Sequence, residues 1–360
     1  KSTDEGTNEN KSSSGASTEN SASPKSTPLP LGGQQGTENT NVDTVCLSKQ
    51  EEKKISTSPD NRATQEEPVG DQQEVGSEGT LGEHEDYDLL ASPYEGYSAA
   101  HLAAYHDDAE HMAQIINLGG DISSPDPDGR TPLHICVLYA HDNCLEHLVS
   151  TMTTLGDEEK WKPLIKALDS TGKTALATAA SVGNFNALAM LSSVDHDSLE
   201  IQDGNGDSAL HLATYYQFHD CVELLLQLGV HPDGPANPYT GKTAAAMSSS
   251  LRTLQLLIEY GADYFGIDAA GCSLLFDACA NGIPDIVEYL LALDTEKQVL
   301  EYPDYRGDTP LHAAACNGHL DCVRLLVCAN ADPTPLNVAG LSPPTLALCH
   351  GHTSCVEYFK

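Results

Sequence analysis

Positive charge is scarce in this chain: 18 Lys and Arg stand against 53 Asp and Glu, a formal net charge of -35. A field of that sign repels phosphate backbones and anionic headgroups. Nucleic acid and membrane surfaces are therefore not expected as partners. Long apolar runs are missing too, and none approaches the roughly 20 residues that span a bilayer. Large aromatics are thin, with one Trp and five Phe, and the apolar fraction of 39% is low for 360 residues that all fold. Part of the chain is expected to stay unfolded. The eleven cysteines, an odd total, include no C-x-x-C pair. That pattern favours a reducing compartment over a disulfide framework, so the expected location is cytoplasmic, with the nucleus as the alternative. The chain starts at Lys1 and not at a methionine, so the lack of a targeting segment excludes little.

Apolar residues are rarest from Lys1 to about Gly82, where Ser, Thr, Asn, Gln, Glu, Gly and Pro dominate. Such a stretch cannot offset the entropy of ordering. Residues 1–85 are accordingly read as a disordered acidic segment. It is either a plain linker or a regulatory arm, with Ser23-Pro24, Thr27-Pro28 and Ser58-Pro59 as proline-directed phosphorylation candidates. At its end, Glu85, Tyr87, Leu89 and Leu90 form a short acidic, aromatic and dileucine patch. Three readings fit: a dileucine sorting signal, a strand that pairs with an autophagy receptor, or an apolar cap on the folded part.

From Tyr94 onward one glycine returns at near-constant stride: Gly96, Gly129, Gly172, Gly206, Gly241, Gly271, Gly307 and Gly340. Around it the same words recur: Gly-Tyr-Ser-Ala-Ala-His-Leu-Ala at 96–103, Gly-Arg-Thr-Pro-Leu-His at 129–134, Gly-Asp-Ser-Ala-Leu-His-Leu-Ala at 206–213, and Gly-Asp-Thr-Pro-Leu-His-Ala-Ala at 307–314. A stride near 33 with these words resembles the ankyrin repeat family. The resemblance covers residues 86–360 and implies an all-α solenoid of about eight helix pairs joined by hairpin loops. The repeats are placed near 94–127, 128–168, 169–203, 204–238, 239–268, 269–304, 305–337 and 338–360.

The words have physical reasons. Thr or Ser caps the first helix, and proline fits its first turn, where a missing N–H costs nothing. Gly183, Gly282, Gly318 and Gly351 supply left-handed backbone between the two helices. No helix pair hides its apolar face alone, so neighbours must stack into one elongated arc.

Two units depart from the pattern. The fifth, from Gly241, lacks the Leu-His pair and about three residues around the turn, and a local weak point is expected there. The second is about ten residues too long. Its surplus, Thr151 to Lys166, holds Trp161 among Lys160, Lys162 and Lys166 and should protrude or extend a helix. The last unit ends inside its second helix without a polar capping repeat, so the natural chain is expected to run further.

Catalytic and metal chemistry find little support. Gly172-Lys173-Thr174 and Gly241-Lys242-Thr243 would need a glycine five residues before the Gly-Lys-Thr to cradle phosphate, and hold Ala167 and Ala236 there. His101, His134, His211 and His312 each lie five residues after the repeat glycine. The resemblance implies that they hydrogen-bond between units. Cys144, Cys221, Cys322 and Cys355 lie fifteen after it, where a small apolar side chain packs. No catalytic site, cofactor or metal is expected.

Ankyrin domains bind proteins through their concave face and hairpin tips, so the resemblance implies a protein partner. On that face Tyr105, His106, Leu138, Tyr139, Tyr215 and Tyr216 are candidates, interrupted by Ser181 and Val182. They are either interface anchors or packing between neighbouring first helices. At the tips Asp126, Asp128, Asp203, Asn205, Asp207, Asp304 and Asp308 suggest an acidic edge, broken by Arg130, Lys173, Lys242 and Arg306. Asp128, Arg130, Asn205, Asp207, Arg306 and Asp308 are the tip residues assigned to binding. A monomeric adaptor that grips a basic or extended protein segment is the leading expectation. The alternatives are the regulatory arm of a larger enzyme, such as an Arf GTPase-activating protein or a kinase, and an IκB-like inhibitor of a transcription factor, although an Asp-Ser-Gly-x-x-Ser motif is missing.

Overall fold

Two residues after each repeat glycine stands a Ser or Thr with extended backbone: Ser98, Thr131, Thr174, Ser208, Thr243, Ser273, Thr309 and Ser342. Each precedes a helix; the hydroxyls of Ser98, Thr174 and Ser273 accept a first-turn N–H, and those of Thr131, Ser208 and Thr309 bond the imidazole three residues on. The computed structural model describes residues 95–155 and 158–360. The tail expected to be disordered and the Glu85, Tyr87, Leu89, Leu90 patch lie outside the described residues.

The first helices are α1 (Ala99–Tyr105), α3 (Pro132–Leu138), α6 (Ala175–Val182), α8 (Ala209–Tyr215), α10 (Ala244–Met247), α12 (Leu274–Asn281), α14 (Pro310–Cys316) and α16 (Pro343–Cys349). Their partners are α2 (Ala109–Asn117), α4 (Asp142–Leu155), α7 (Phe185–Val194), α9 (His219–Gln227), α11 (Leu251–Glu259), α13 (Pro284–Leu293), α15 (Leu320–Cys328) and α17 (Thr353–Tyr358). Eleven residues after the repeat glycine the backbone turns left-handed in every repeat but the fifth. Glycine takes that slot at Gly183, Gly282, Gly318 and Gly351, and Asp107, Ala140 and Gln217 take it elsewhere. First helices pack on first helices and second on second, giving an all-α, two-layer stack. Among the described residues there is no strand, only an isolated bridge between Ile267 and Ser273.

The core runs along both layers. In the second helices one apolar residue is fully buried nineteen positions after the repeat glycine: Ile115, Leu148, Leu191, Leu225, Leu290 and Leu326. In the fifth repeat the equivalent, Leu257, comes sixteen after Gly241, which locates the three-residue deletion in α10 and the following turn. Hiding such a side chain stabilises by about 2–3 kcal/mol, and each needs the adjacent repeat to do so.

Polar links bind the layers together. His101, His134, His211 and His312 each offer Nδ1 to the hydroxyl of their own cap residue at 2.8–2.9 Å. Each Nε2 lies 2.9–3.1 Å from a carbonyl of the next repeat, at Arg130, Lys173, Lys242 and Leu341. A carbonyl only accepts, so Nε2 carries the proton and Nδ1 receives one from the cap hydroxyl. Burial depresses the pKa of His134, His211 and His312 and so favours that neutral ring. At the second layer, His141, Asn184, His319 and His352 bond back to carbonyls of Ala104, Val137, Ala280 and Cys316.

The surplus of the second repeat forms two helical pieces. The helix α4 continues to Leu155, as expected, and α5 (Glu158–Ile165) follows. Trp161 does not protrude. It is buried with Leu164 and Ile165 in the main core, because an indole on the apolar side of α5 removes more surface from water there than anywhere outside.

Candidate partner-binding face

The tips are built by one device. Three residues before the repeat glycine, Asp126, Asp169, Asp203, Asp268 and Asp304 each accept backbone N–H groups from residues two and four ahead, at 2.7–2.9 Å. The carboxylate thereby closes the turn. Burial opposes ionisation of Asp169, but bonds from Thr171 and Lys173 outweigh it and hold its carboxyl below the usual range. Asp126 and Asp203 are buried, so they do not belong to an exposed acidic edge.

Neighbouring tips are tied by backbone bonds: Ser170 N–H to the Asp128 carbonyl, Gly204 to Thr171, Ala269 to Thr240, Tyr305 to Ala270 and Val338 to Arg306, at 2.8–3.1 Å. Between the fourth and fifth repeats a side chain supplies the tie. Asn237 Nδ2 donates to the Asn205 carbonyl at 2.9 Å and to Asp207 Oδ1 at 2.7 Å. Asn337 does the same for Asp308, at 2.8 Å. Burial pushes the Asp308 carboxyl up, against the Asn337 bond. Asp207 and Asp308 are thus tied into turns, while Asp128 pairs with Arg130 at 3.0 Å on the surface and Asn205 and Arg306 are exposed.

The first-helix face gathers the aromatics. Tyr105 and Tyr139, from adjacent repeats, meet edge to face at 5.3 Å between ring centroids, with His106 against Tyr105 and His141 stacked on Tyr139. Tyr215 and Tyr216 form a second edge-to-face pair at 5.1 Å. Tyr105 and Leu138 are half-buried, whereas His106, Tyr139, Tyr215 and Tyr216 are exposed. Burial, then the neighbouring phenol, raises the pKa of Tyr139 and Tyr216, so both keep O–H groups able to donate. Tyr105 is thus packed against its neighbours, while Tyr139, Tyr215 and Tyr216 leave part of their rings in solvent.

Three exposed side chains escaped the sequence reading. Two residues before the repeat glycine, Tyr239, Tyr305 and Val338 stand out at the tips, 71%, 70% and 83% exposed. The signal was present in the stride, since the same slot holds Pro127, Ser170 and Gly204 in the earlier repeats. Tyr94 holds the slot in the first repeat and Ala269 in the sixth, so from the second repeat onward the large apolar tips are those of the fifth, seventh and eighth.

Two open notches lie where first helices end. One, of about 480 Å³, is lined by Tyr215, Met247, Ser248, Ser249, Asn281 and Ile283. The other, of about 360 Å³, lies between the second and third repeats and includes Leu138, Gly183 and Phe185.

Ligand-type side chains come together once among the described residues, at Asp268, Cys272 and Asp277, with ligand atoms within 4.8 Å of one another. The protein's own groups already engage both carboxylates. Lys242 Nζ lies 2.9 Å from Asp277 Oδ1, and Asp268 Oδ1 is taken by the N–H groups of Ala270 and Cys272. Lys242 is thus no free base at the tip edge. Burial pushes the thiols of Cys221 and Cys322 up to about 11, as befits core packing rather than nucleophiles.

Several known proteins are similar to this chain over part of their length. Inversin from Mus musculus is 27% identical over 248 residues, which are 66% of this chain and 22% of that protein. The B-cell lymphoma 3 protein homolog from Mus musculus is 29% identical over 230 residues, 59% of this chain and 49% of that protein. The chain thus spans about a fifth of the first and half of the second. The crystal structure of the ankyrin repeat domain of Bcl-3, described as a unique member of the IkappaB protein family, aligns with 71% of this chain and 95% of its own, at 23% identity and a TM-score of 0.46. Models for ankyrin repeats in three copies match residues 80–158, 100–193, 154–236 and 275–360, and one for many copies matches 243–291. With the stride, the capped helix pairs and the inter-repeat histidines, these family models place the chain in the ankyrin repeat family.

Proposed function

We propose that this chain is a non-enzymatic adaptor that holds a basic or extended segment of another protein on its first-helix face and hairpin tips. The carrying observation is apolar surface that the core leaves unused: Tyr139, Tyr215 and Tyr216 on the face, and Tyr239, Tyr305 and Val338 on the tips. Tyrosine suits such anchors, because its ring gives area and its hydroxyl tolerates water. The acidity of the domain supports a basic partner: residues 95–360 carry 35 acidic and 11 basic side chains. It also disfavours nucleic acid and anionic membranes. Among the described residues no helix is long and apolar enough to cross a membrane. Action as a monomer in cytoplasm or nucleus, with residues 1–85 as a regulatory arm, completes the reading.

A second reading, the partner-holding arm of a longer signalling protein, draws on the relatives, which extend well beyond the aligned portion. Affinity capture with the full chain and with a Tyr139→Ala, Tyr215→Ala, Tyr216→Ala variant tests the first reading. Loss of about 1–2 kcal/mol per anchor predicts at least tenfold lower recovery of the specific partner. Unchanged recovery refutes the face assignment.

A further inference from the structure

The deletion in the fifth repeat leaves more than a weak point. The helix α10 has four residues where the other first helices have seven or eight. Its backbone leaves the helix at Ser248, in extended conformation, and Ser249 and Ser250 cross straight into α11. The missing turn is the one that carries Tyr105, Tyr139 and Tyr215 in other repeats. Its neighbours on either side are intact, so α8 and α12 frame a gap that no side chain of the fifth repeat fills. The result is the 480 Å³ notch.

The notch has an organised lining. Tyr215, Met247 and Ile283 form apolar walls, with Ser248, Ser249 and Asn281 at the rim. The rim is tied down, since Gln217 Nε2 of the fourth repeat donates to Ser249 Oγ at 2.8 Å and Ser248 Oγ donates to the Ser250 carbonyl at 3.0 Å. Met247 adds an adaptable wall, because an unbranched thioether reshapes around what it contacts. The notch is open to solvent and has room for one large apolar side chain together with its flanking backbone.

We propose that this notch is an anchor pocket for a single apolar side chain, leucine-like or phenylalanine-like, carried by a basic peptide segment of a partner protein. The proposal rests on the reading that the first-helix face binds protein. Charge complementarity selects the flanks. Acidic side chains outnumber basic ones about three to one over residues 95–360. Four of the bases, Arg130, Lys166, Lys242 and Arg324, are already neutralised in ion pairs. Asp220 and Asp285 sit in the first turns of α9 and α13, close in sequence to Gln217 and Ile283, against Arg252 in the first turn of α11, and no lysine or arginine lines the notch itself. Lysine and arginine beside the anchor would therefore be drawn to this region, and acidic flanks repelled.

The test uses the full chain and a phage library of random 16-residue peptides, with selected peptides resynthesised with a fluorophore and titrated by anisotropy. Selected peptides should carry one large apolar residue among Lys and Arg. Ser249→Trp, which fills the notch, should weaken them at least tenfold. Asn186→Trp, in the 360 Å³ notch, should change them less than twofold. If Ser249→Trp lowers the melting temperature by more than a few degrees, Met247→Ala decides instead: a deeper pocket should shift preference from a leucine toward a tryptophan anchor. Peptides that respond to Tyr139→Ala but ignore both notch variants overturn the pocket and leave the face reading intact. Peptides indifferent to all of these, or no selected peptide, overturn both.

Discussion

Gly172→Ala examines how closely the repeats are stacked at their tips. Gly172 has φ +80°, where an L residue costs about 1–2 kcal/mol relative to ordinary helix or strand backbone. A Cβ there would also lie 2.5 Å from Gly204 N and 2.9 Å from Gly204 Cα. Both are main-chain atoms of the next repeat and cannot rotate aside. Relief requires the two tips to part, which lengthens the 3.0 Å bond from Gly204 N–H to the Thr171 carbonyl and costs about 1 kcal/mol. Overpacking of this kind adds about 1–3 kcal/mol. Gly229→Ala is the control, because Gly229 has φ +89° and nothing within 4 Å of the new methyl. Urea unfolding at 25 °C, followed by far-ultraviolet circular dichroism, should place Gly172→Ala about 2–4 kcal/mol below Gly229→Ala. Hydrogen exchange should rise at the tips of the third and fourth repeats. Equal losses for the two variants would refute tight main-chain stacking as the origin of the repeat glycine.

Acid should destabilise the array through its histidines. Burial holds His134, His211 and His312 below the unfolded value of about 6.5, so the unfolded chain binds more protons below that pH. Stability should therefore fall from pH 6.5 downward, by up to about 1.4 kcal/mol per pH unit per histidine, until the depressed folded pKa is passed. His211→Gln should flatten the pH dependence of the urea midpoint, and an unchanged slope would count against this account. Ala140 occupies a left-handed slot at φ 55°, so Ala140→Gly should stabilise by about 0.5–1 kcal/mol in the same assay, and a loss would contradict the strain. Lys242→Met should cost about 3 kcal/mol by leaving Asp277 buried without its ammonium, and adding Asp277→Leu should restore most of it. Limited proteolysis should cut the folded repeats first at Ser248–Ser250, where α10 ends early, as mass spectrometry of the fragments would show.

Much of the site was legible only as a set of positions. The stride located Tyr105, Tyr139, Tyr215 and Tyr216 at the ends of first helices, and the structure pairs Tyr105 with Tyr139 and Tyr215 with Tyr216. It did not distinguish half-buried Tyr105 from exposed Tyr139, because that depends on the repeat packed alongside. The same limit applies at the tips. Asp126 and Asp128 look alike in sequence, yet one is a buried turn-closing acceptor and the other an exposed partner of Arg130.

By itself the sequence determined the fold class, the helix starts and most of the helix ends. Those signals are local: a cap hydroxyl two residues after glycine, a left-handed residue eleven after it, and an apolar period between them all act within a few turns. Tertiary structure alone decided what is solvent-facing and what is spent on the stack. The Lys242–Asp277 pair across 35 residues, the Asn237 tie and the notch beside Tyr215 each need a neighbouring repeat to exist. A deletion reads in sequence as three missing residues. Only when α8 and α12 stand on either side does that absence become a space with walls.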